Sequence, residues 1–372
     1  MYLRTCNTRI ALVGALTVAA TFAVGCGGGS SGSGGNGGGG TGTKTTVLQT
    51  TPGGPFTGTI APGRLYVAST AVNSILQFDV NNFSNGNLTP AATIVGQATQ
   101  LNGPQFISLD TANDRMYVGN SGANSILVFD NVSTLGGNVS PARVISGSAT
   151  TLNRVQGLAL DTAGNQLYVA NSGTNTIAVF ANVSTLSGNI APSRILAGSL
   201  TALSGPSGLL LDSTGSNLYV ANKTGNSIAL FQNVGSLNGN IAPAAVLSGS
   251  ATRLNAPVSV QLDNAGGLIV CNQGANNMLT FSAAAGAPIS PNLAPTGVVG
   301  GFGGGLAIVH PGQVFYVGKS DTLYIADTTQ NGILIYNAIE TLSGQIFPNR
   351  EIAGPASGFA SPTGVAYQVT TN

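Results

Sequence analysis

Charge is what this sequence has least of. Its 372 residues include 12 Lys+Arg and 11 Asp+Glu, 6% of the chain, against about 25% in an ordinary globular domain. So few basic residues cannot make the patch that displaces counterions from phosphates, which excludes a nucleic-acid partner. Charge-driven disorder is excluded too, because 42% of residues are hydrophobic and the net charge is only +1. Cysteine is nearly absent, with three copies, and histidine occurs once, at His310. A His-rich metal site therefore cannot be assembled. No Gly-x-Ser-x-Gly elbow is present after residue 45. The glycine-rich run Gly300-Gly301-Phe302-Gly303-Gly304-Gly305 lacks the Lys-Ser/Thr ending of a phosphate loop. After residue 45 no helical period of useful length appears.

What the first 44 residues do have is an address. Arg4 and Arg9 precede Ile10 to Val24, an uncharged apolar stretch of the kind found in export signals. Its 15 residues fall short of the roughly 20 that a spanning helix needs. The stretch ends Phe22-Ala23-Val24-Gly25-Cys26, which resembles the lipobox of bacterial lipoproteins. The resemblance implies cleavage before Cys26 and acylation of that cysteine, with several acyl chains giving firm anchorage where one alone binds marginally. Residues 27–43 are mostly Gly, the rest being Ser, Thr and Asn, and 27–44 reads as a flexible tether. Gly27 in place of aspartate implies, by the same resemblance, the outer membrane. Cys6 leaves with the signal and Cys26 is acylated, so Cys271 stands alone and no intramolecular disulfide can form. Cys271 lies in the strand run Ile269-Val270-Cys271, at a place where other repeats carry Ala170 and Ala221. It reads as a small buried apolar residue.

The remainder, residues 45–372, is a repeat. Tyr66, Tyr117, Tyr168 and Tyr219 are spaced by 51 residues, followed by Ile269 and Tyr324. Twelve residues beyond each stands an aromatic, Phe78, Phe129, Phe180, Phe231, Phe281 and Tyr336, and five before each of those an asparagine, from Asn73 to Asn331. Within one unit, Pro206–Asp212, Asn217–Ala221, Ser227–Phe231 and the stretch around Val246-Leu247 are short runs bounded by Gly, Asn, Asp and Pro. These are four strands, here called A to D. Six such units predict an all-β, six-bladed β-propeller of four-stranded antiparallel blades. Blade one has only a poor strand A candidate at Pro55–Ile60, whereas Pro362–Gln368 matches strand A and has no strand B after it. The C-terminal run Val365-Ala366-Tyr367 is therefore expected to supply the inner strand of blade one and close the ring.

The motifs Leu218-Tyr219-Val220-Ala221-Asn222 and Asn226-Ser227-Ile228-Ala229-Leu230-Phe231 resemble the NHL and YVTN-type propeller families, over roughly Arg64 to Gln368. The NHL pattern often has arginine after the asparagine preceding strand C. Here Ser74, Ser125, Thr176, Ser227, Asn277 and Gly332 occupy that position, so the basic surface of RNA-binding members is missing.

B–C loops and D–A links share one face of this connectivity, where propeller ligands usually gather. Asn120, Asn171, Asn222, Asn272 and Asp327 follow strand B there, one per blade. They form either a ligand ring or, as such regular repetition favours, a set of loop caps. The ladder Asp110, Asp161, Asp212 and Asp263 invites calcium, but each residue starts a tight turn in a different blade. His310 lies in the longest D–A link, with Asp327 as a possible partner. Two functions compete. One is a non-catalytic, lipid-anchored binding or scaffold module in the cell envelope, in contact with the membrane and with a protein or glycan, and needing no cofactor. The alternative is a metal-dependent hydrolase or lyase of the lactonase-like propeller class, with calcium in the central channel. It needs carboxylates converging from several blades, and Asp327 alone breaks the asparagine ring with charge.

Overall fold

The computed structural model describes residues 62–81, 84–282, 289–300, 308–344 and 346–369. The lipobox with Cys26, the tether, the Pro55–Ile60 strand candidate and the run Gly301–Gly305 lie outside them. The described chain forms six four-stranded antiparallel sheets joined by short 3-10 turns. In blade four the strands are Pro206–Leu211, Leu218–Asn222, Ser227–Phe231 and Ala245–Leu247, within a residue or two of the expected runs.

Blade one closes as the sequence predicts. Its inner strand is the C-terminal segment Pro362–Val369, paired antiparallel with Gly63–Ser69 so that Leu65 faces Tyr367 and Val67 faces Val365. Both chain ends of the propeller thus share one sheet, and the ring has no seam held by side chains alone.

Apolar residues on both faces of each sheet pack into six clusters, one at each blade junction. The repeat aromatics Phe78, Phe129, Phe180, Phe231, Phe281 and Tyr336 are 0–1% exposed. Burying such a side chain contributes roughly 1.5–3 kcal/mol, and the repeat supplies one per blade. Outer edges are covered by backbone. The C–D loop of blade four lays Gly239 on strand D of blade three, donating to Ile195 O (2.7 Å) and accepting from Ala197 N (3.1 Å). Gly86 makes the same bridge to Ile352, from blade one to blade six. Those bonds occupy groups that an exposed edge would offer to another chain.

Two asparagine series align the blades. Asn73, Asn124, Asn175, Asn226 and Asn331 adopt left-handed backbone, which asparagine tolerates better than other non-glycine residues. Each accepts a hydrogen bond from the backbone N–H just ahead of the next strand A, at 2.7–2.8 Å. Near the rim Asn240 accepts from Leu200 N at 2.8 Å and stands against Gly198, whose φ of 118° belongs to glycine. A Cβ there would lie 2.5 Å from Asn240 Oδ1.

Around the axis the inner strands crowd one another. A Cβ on Gly157 or Gly364 would stand 2.0 Å from the neighbouring strand's carbonyl oxygen. Gln313 is buried and links three inner strands, accepting from Ile107 N (3.1 Å) and Val365 N (3.0 Å) and donating to Ile107 O (3.0 Å).

Candidate functional site

The residues that follow strand B do not reach the surface. Asn120, Asn171, Asn222, Asn272 and Asp327 are all 0% exposed. Asn222 shows the common arrangement. Its oxygen accepts from Ser204 N (3.1 Å) and its amide donates to Ala202 O and Ser227 Oγ (both 3.2 Å), tying the D–A link to the B–C loop. Asn120 and Asn272 repeat all three bonds with their own neighbours, and Asn171 accepts from Asn153 N and donates to Thr176.

Asp327 keeps the accepting half of that role and enlarges it. Its carboxylate takes Val309 N (2.7 Å), His310 N (3.1 Å), Thr329 N (3.1 Å) and Gln330 N (3.0 Å). Where other blades offer a hydroxyl or amide five residues later, blade six has Gly332. A donor at 327 would lack that partner, and an acceptor-only carboxylate suits the place. Asp327 therefore fixes the segment that carries His310 rather than facing a ligand itself.

The acidic ladder behaves as turn chemistry. Asp161 accepts from Gly164 N, Asp212 from Ser216 N and Asn217 N, Asp263 from Gly267 N, and Asp110 from Asn113 N. Among the described residues no three His, Cys, Asp or Glu side chains converge as a metal site. The described side chains therefore do not supply the converging carboxylates that the calcium ion of the lactonase-like expectation needs. Cys271 is fully buried, with its thiol pushed well above the ordinary range by that burial and by nearby Asp327, and it is inert.

The site lies at the channel mouth, where the repeat breaks. The residue just ahead of strand A is Gly103, Arg154, Gly205, Ala256, His310 and Ser361 in successive blades. The residue after the buried Asn or Asp is Ser121, Ser172, Lys223, Gln273 and Thr328 in blades two to six. Small Gly205 and Ala256 leave a gap flanked by larger side chains. It is a pocket of about 400 Å³ lined by Arg154, Gln156, Ser172, Gly205, Lys223, Thr224 and Ala256. Arg154 and Lys223 escaped the sequence reading, which followed what the repeats share. Comparing these two positions blade by blade would have exposed both cations.

Hydrogen bonds run from Lys223 through Gln273 to the backbone that follows His310. Lys223 Nζ donates to Gln273 Oε1 (2.5 Å), and Gln273 Nε2 donates to Pro311 O (3.0 Å), next to His310. Lys223 is exposed as a residue, yet desolvation of its ammonium against the pocket, and secondly the Arg154 cation, hold its pKa below the usual lysine range. Partial burial and then the Lys223 charge likewise lower the His310 pKa, against a smaller upward pull from Asp327. The imidazole is thus neutral at neutral pH and able to accept a proton.

A family model described as "Lactonase, 7-bladed beta-propeller" matches residues 63–232, from strand B of blade one to the end of strand C in blade four. That span holds Arg154 and Lys223 but not His310, and this propeller has six blades. No curated protein matches the chain significantly. Among solved structures, a putative 6-phosphogluconolactonase from Bacteroides fragilis superposes with a TM-score of 0.55 at 14% identity, covering 82% of this chain and 98% of that one. The periplasmic gluconolactonase PpgL of Pseudomonas aeruginosa gives 0.54 at 13%, covering 83% and 100%. A chain from a nidogen/laminin complex gives 0.57 at 14%, covering 82% and 98%. At such identities the structural likeness concerns the fold alone. The expectation of a non-catalytic binding or scaffold module is nevertheless corrected. The lactonase family match over residues 63–232 favours the hydrolase alternative.

Proposed function

We propose that this chain is a lactonase-like hydrolase that opens the ester ring of a sugar lactone at the mouth pocket. The observation that carries this reading is the match to the lactonase family model over the blades that supply Arg154 and Lys223, the two cations of the pocket. In the proposed reaction neutral His310 takes a proton from water, and the hydroxide adds to the lactone carbonyl carbon. The Lys223 ammonium, held by Gln273, stabilises the oxyanion that develops. Collapse breaks the ring C–O bond, and the leaving alkoxide takes the proton from the imidazolium. The product is a hydroxy acid, released as its carboxylate and a proton.

The test is proton release from glucono-δ-lactone and 6-phosphogluconolactone, corrected for spontaneous opening. His310→Gln should lower kcat by about 10²-fold or more and Lys223→Met by a comparable factor, with unchanged melting. Absence of catalysed turnover on both lactones, or full activity in both variants, overturns the proposal.

The cell-envelope location belongs to the same proposal. Lipidation at Cys26, inferred from the lipobox resemblance, would hold the propeller at the outer membrane by the tether of residues 27–44. Cys26→Ala should move the protein from the membrane to the soluble fraction; a variant still in the membrane rejects the anchor.

A further inference from the structure

Basic side chains on the two faces have different company. On the face of A–B turns and C–D loops, Arg64 pairs with Asp79, Arg115 with Asp130 and Asp110, and Arg143 with Asp130. Arg194 donates to Val234 O and Leu237 O, and Arg350 to Asn81 O. On the mouth face Arg154, Lys223 and Arg253 have no carboxylate partner among the described residues. Asp327, the acid that follows strand B on this face in blade six, is buried under its backbone donors.

Arg154 is the sharpest case. It occupies a left-handed backbone position, φ 50°, that Gly103, Gly205, Ala256 and Ser361 fill in other blades, and it is the cation among them. Its backbone is held by Asn124 and Ser172, and the residue lines the pocket without an ion pair among the described residues. It lies near enough to Lys223 to disfavour that lysine's charge. Two like charges beside one cavity repel, and an anion between them would relieve that repulsion. The pocket also offers a hydroxyl and an amide to an anion, from Thr224 and Gln156.

We propose that Arg154 anchors a subsite, walled by Gln156, Ser172 and Thr224, that binds an anionic substituent of a sugar, a phosphate ester or a carboxylate. Arg154 is then the specificity determinant that separates charged from uncharged lactones, and Lys223 and His310 act on the ring. The kinetic consequence rests on the hydrolase reading; the binding consequence does not.

The test uses the full chain and measures binding of glucose 6-phosphate, glucuronate and glucose by calorimetry. The two anionic sugars are the arms that distinguish phosphate from carboxylate. At least one should bind, and glucose should bind at least about tenfold more weakly. Arg154→Met should weaken the anionic ligand by about tenfold or more, with partial rescue by Arg154→Lys, while its melting temperature stays at the wild-type value. In turnover assays Arg154→Met should raise KM for 6-phosphogluconolactone by about tenfold more than it raises KM for glucono-δ-lactone. Equal binding of glucose and both anions, or Arg154→Met binding like wild type, overturns the subsite whether or not the protein hydrolyses lactones. Binding that follows Arg154 in a protein without turnover keeps the subsite and rejects the hydrolase.

Discussion

On the face of the A–B turns, Arg115 and Arg143 share Asp130 at 2.5–2.9 Å, and the aspartate ladder spends its oxygens on turn N–H groups. Across the sheet, on the mouth face, Arg154 and Lys223 flank an open pocket without a carboxylate. One face uses charge to finish turns and join strands, and the template repeats it. The other uses charge where the template does not call for it, in blades three, four and six. A residue that conforms to the repeat should therefore matter to stability and one that departs from it to chemistry. The mutations that follow test that division.

Removal of the closing strand has the largest expected effect. A chain ending at Ser361 loses the segment paired along all of Gly63–Ser69 and uncovers Leu65, Val67 and Tyr324, all 0% exposed in the intact ring. Tyr367, stacked on Tyr324 with centroids 5.5 Å apart, goes with it. Several side chains worth roughly 1.5–3 kcal/mol each are comparable with the whole stability of a domain. Cooperative thermal unfolding should vanish, as followed by calorimetry. An unchanged melt would show that closure is not what holds the ring.

Next comes a pair of substitutions at equivalent positions. Asn222→Ala removes three hydrogen bonds of a buried side chain and leaves Ser204 N and Ala202 O without their partner; the expected loss is about 2–4 kcal/mol. Asp327→Asn restores the residue the other blades use, and a consensus rule would predict stabilisation. The structure predicts the reverse, a loss of about 1–3 kcal/mol, because the carboxylate serves four backbone donors and Gly332 cannot accept from an amide. Denaturant unfolding measures both. A more stable Asp327→Asn would mean that blade six follows the template after all.

The fold was legible in the sequence because a propeller repeats its physical requirements. Each blade needs a large aromatic at a fixed junction, and Phe78 to Tyr336 are visible at a spacing of about 51 residues. Closure was legible from an unpaired strand A at Pro362. The site was less so, because function here is a departure from the repeat. His310 stood out as the single histidine, but Arg154 and Lys223 do not look unusual until the blades are aligned. The buried Asn ring was legible in position only, since nothing in the sequence separates a loop cap from a ligand. Repetition favoured the cap, and the hydrogen bonds agree.

The finest division between the faces is electrical, and the single histidine can measure it. Burial, then Lys223, lower the His310 pKa beneath the usual value of about 6.5, so the neutral base should persist into mildly acidic solution. If His310 is the base, kcat/KM should rise with pH through an acidic limb lying below that value. Lys223→Met removes the second cause, and the imidazole titration should move up toward 6.5. Asp327→Asn removes the opposing pull and should move it down. A depressed folded pKa also means that the unfolded chain binds this proton more readily. The stability His310 contributes is therefore present above about pH 6.5 and lost as pH falls through the depressed folded value. One imidazole gives one NMR titration curve, readable without any activity. A limb that tracks this curve in wild type and both variants assigns the base. A limb that stays put while the curve moves assigns it elsewhere, and the mouth face would then hold charge for binding alone.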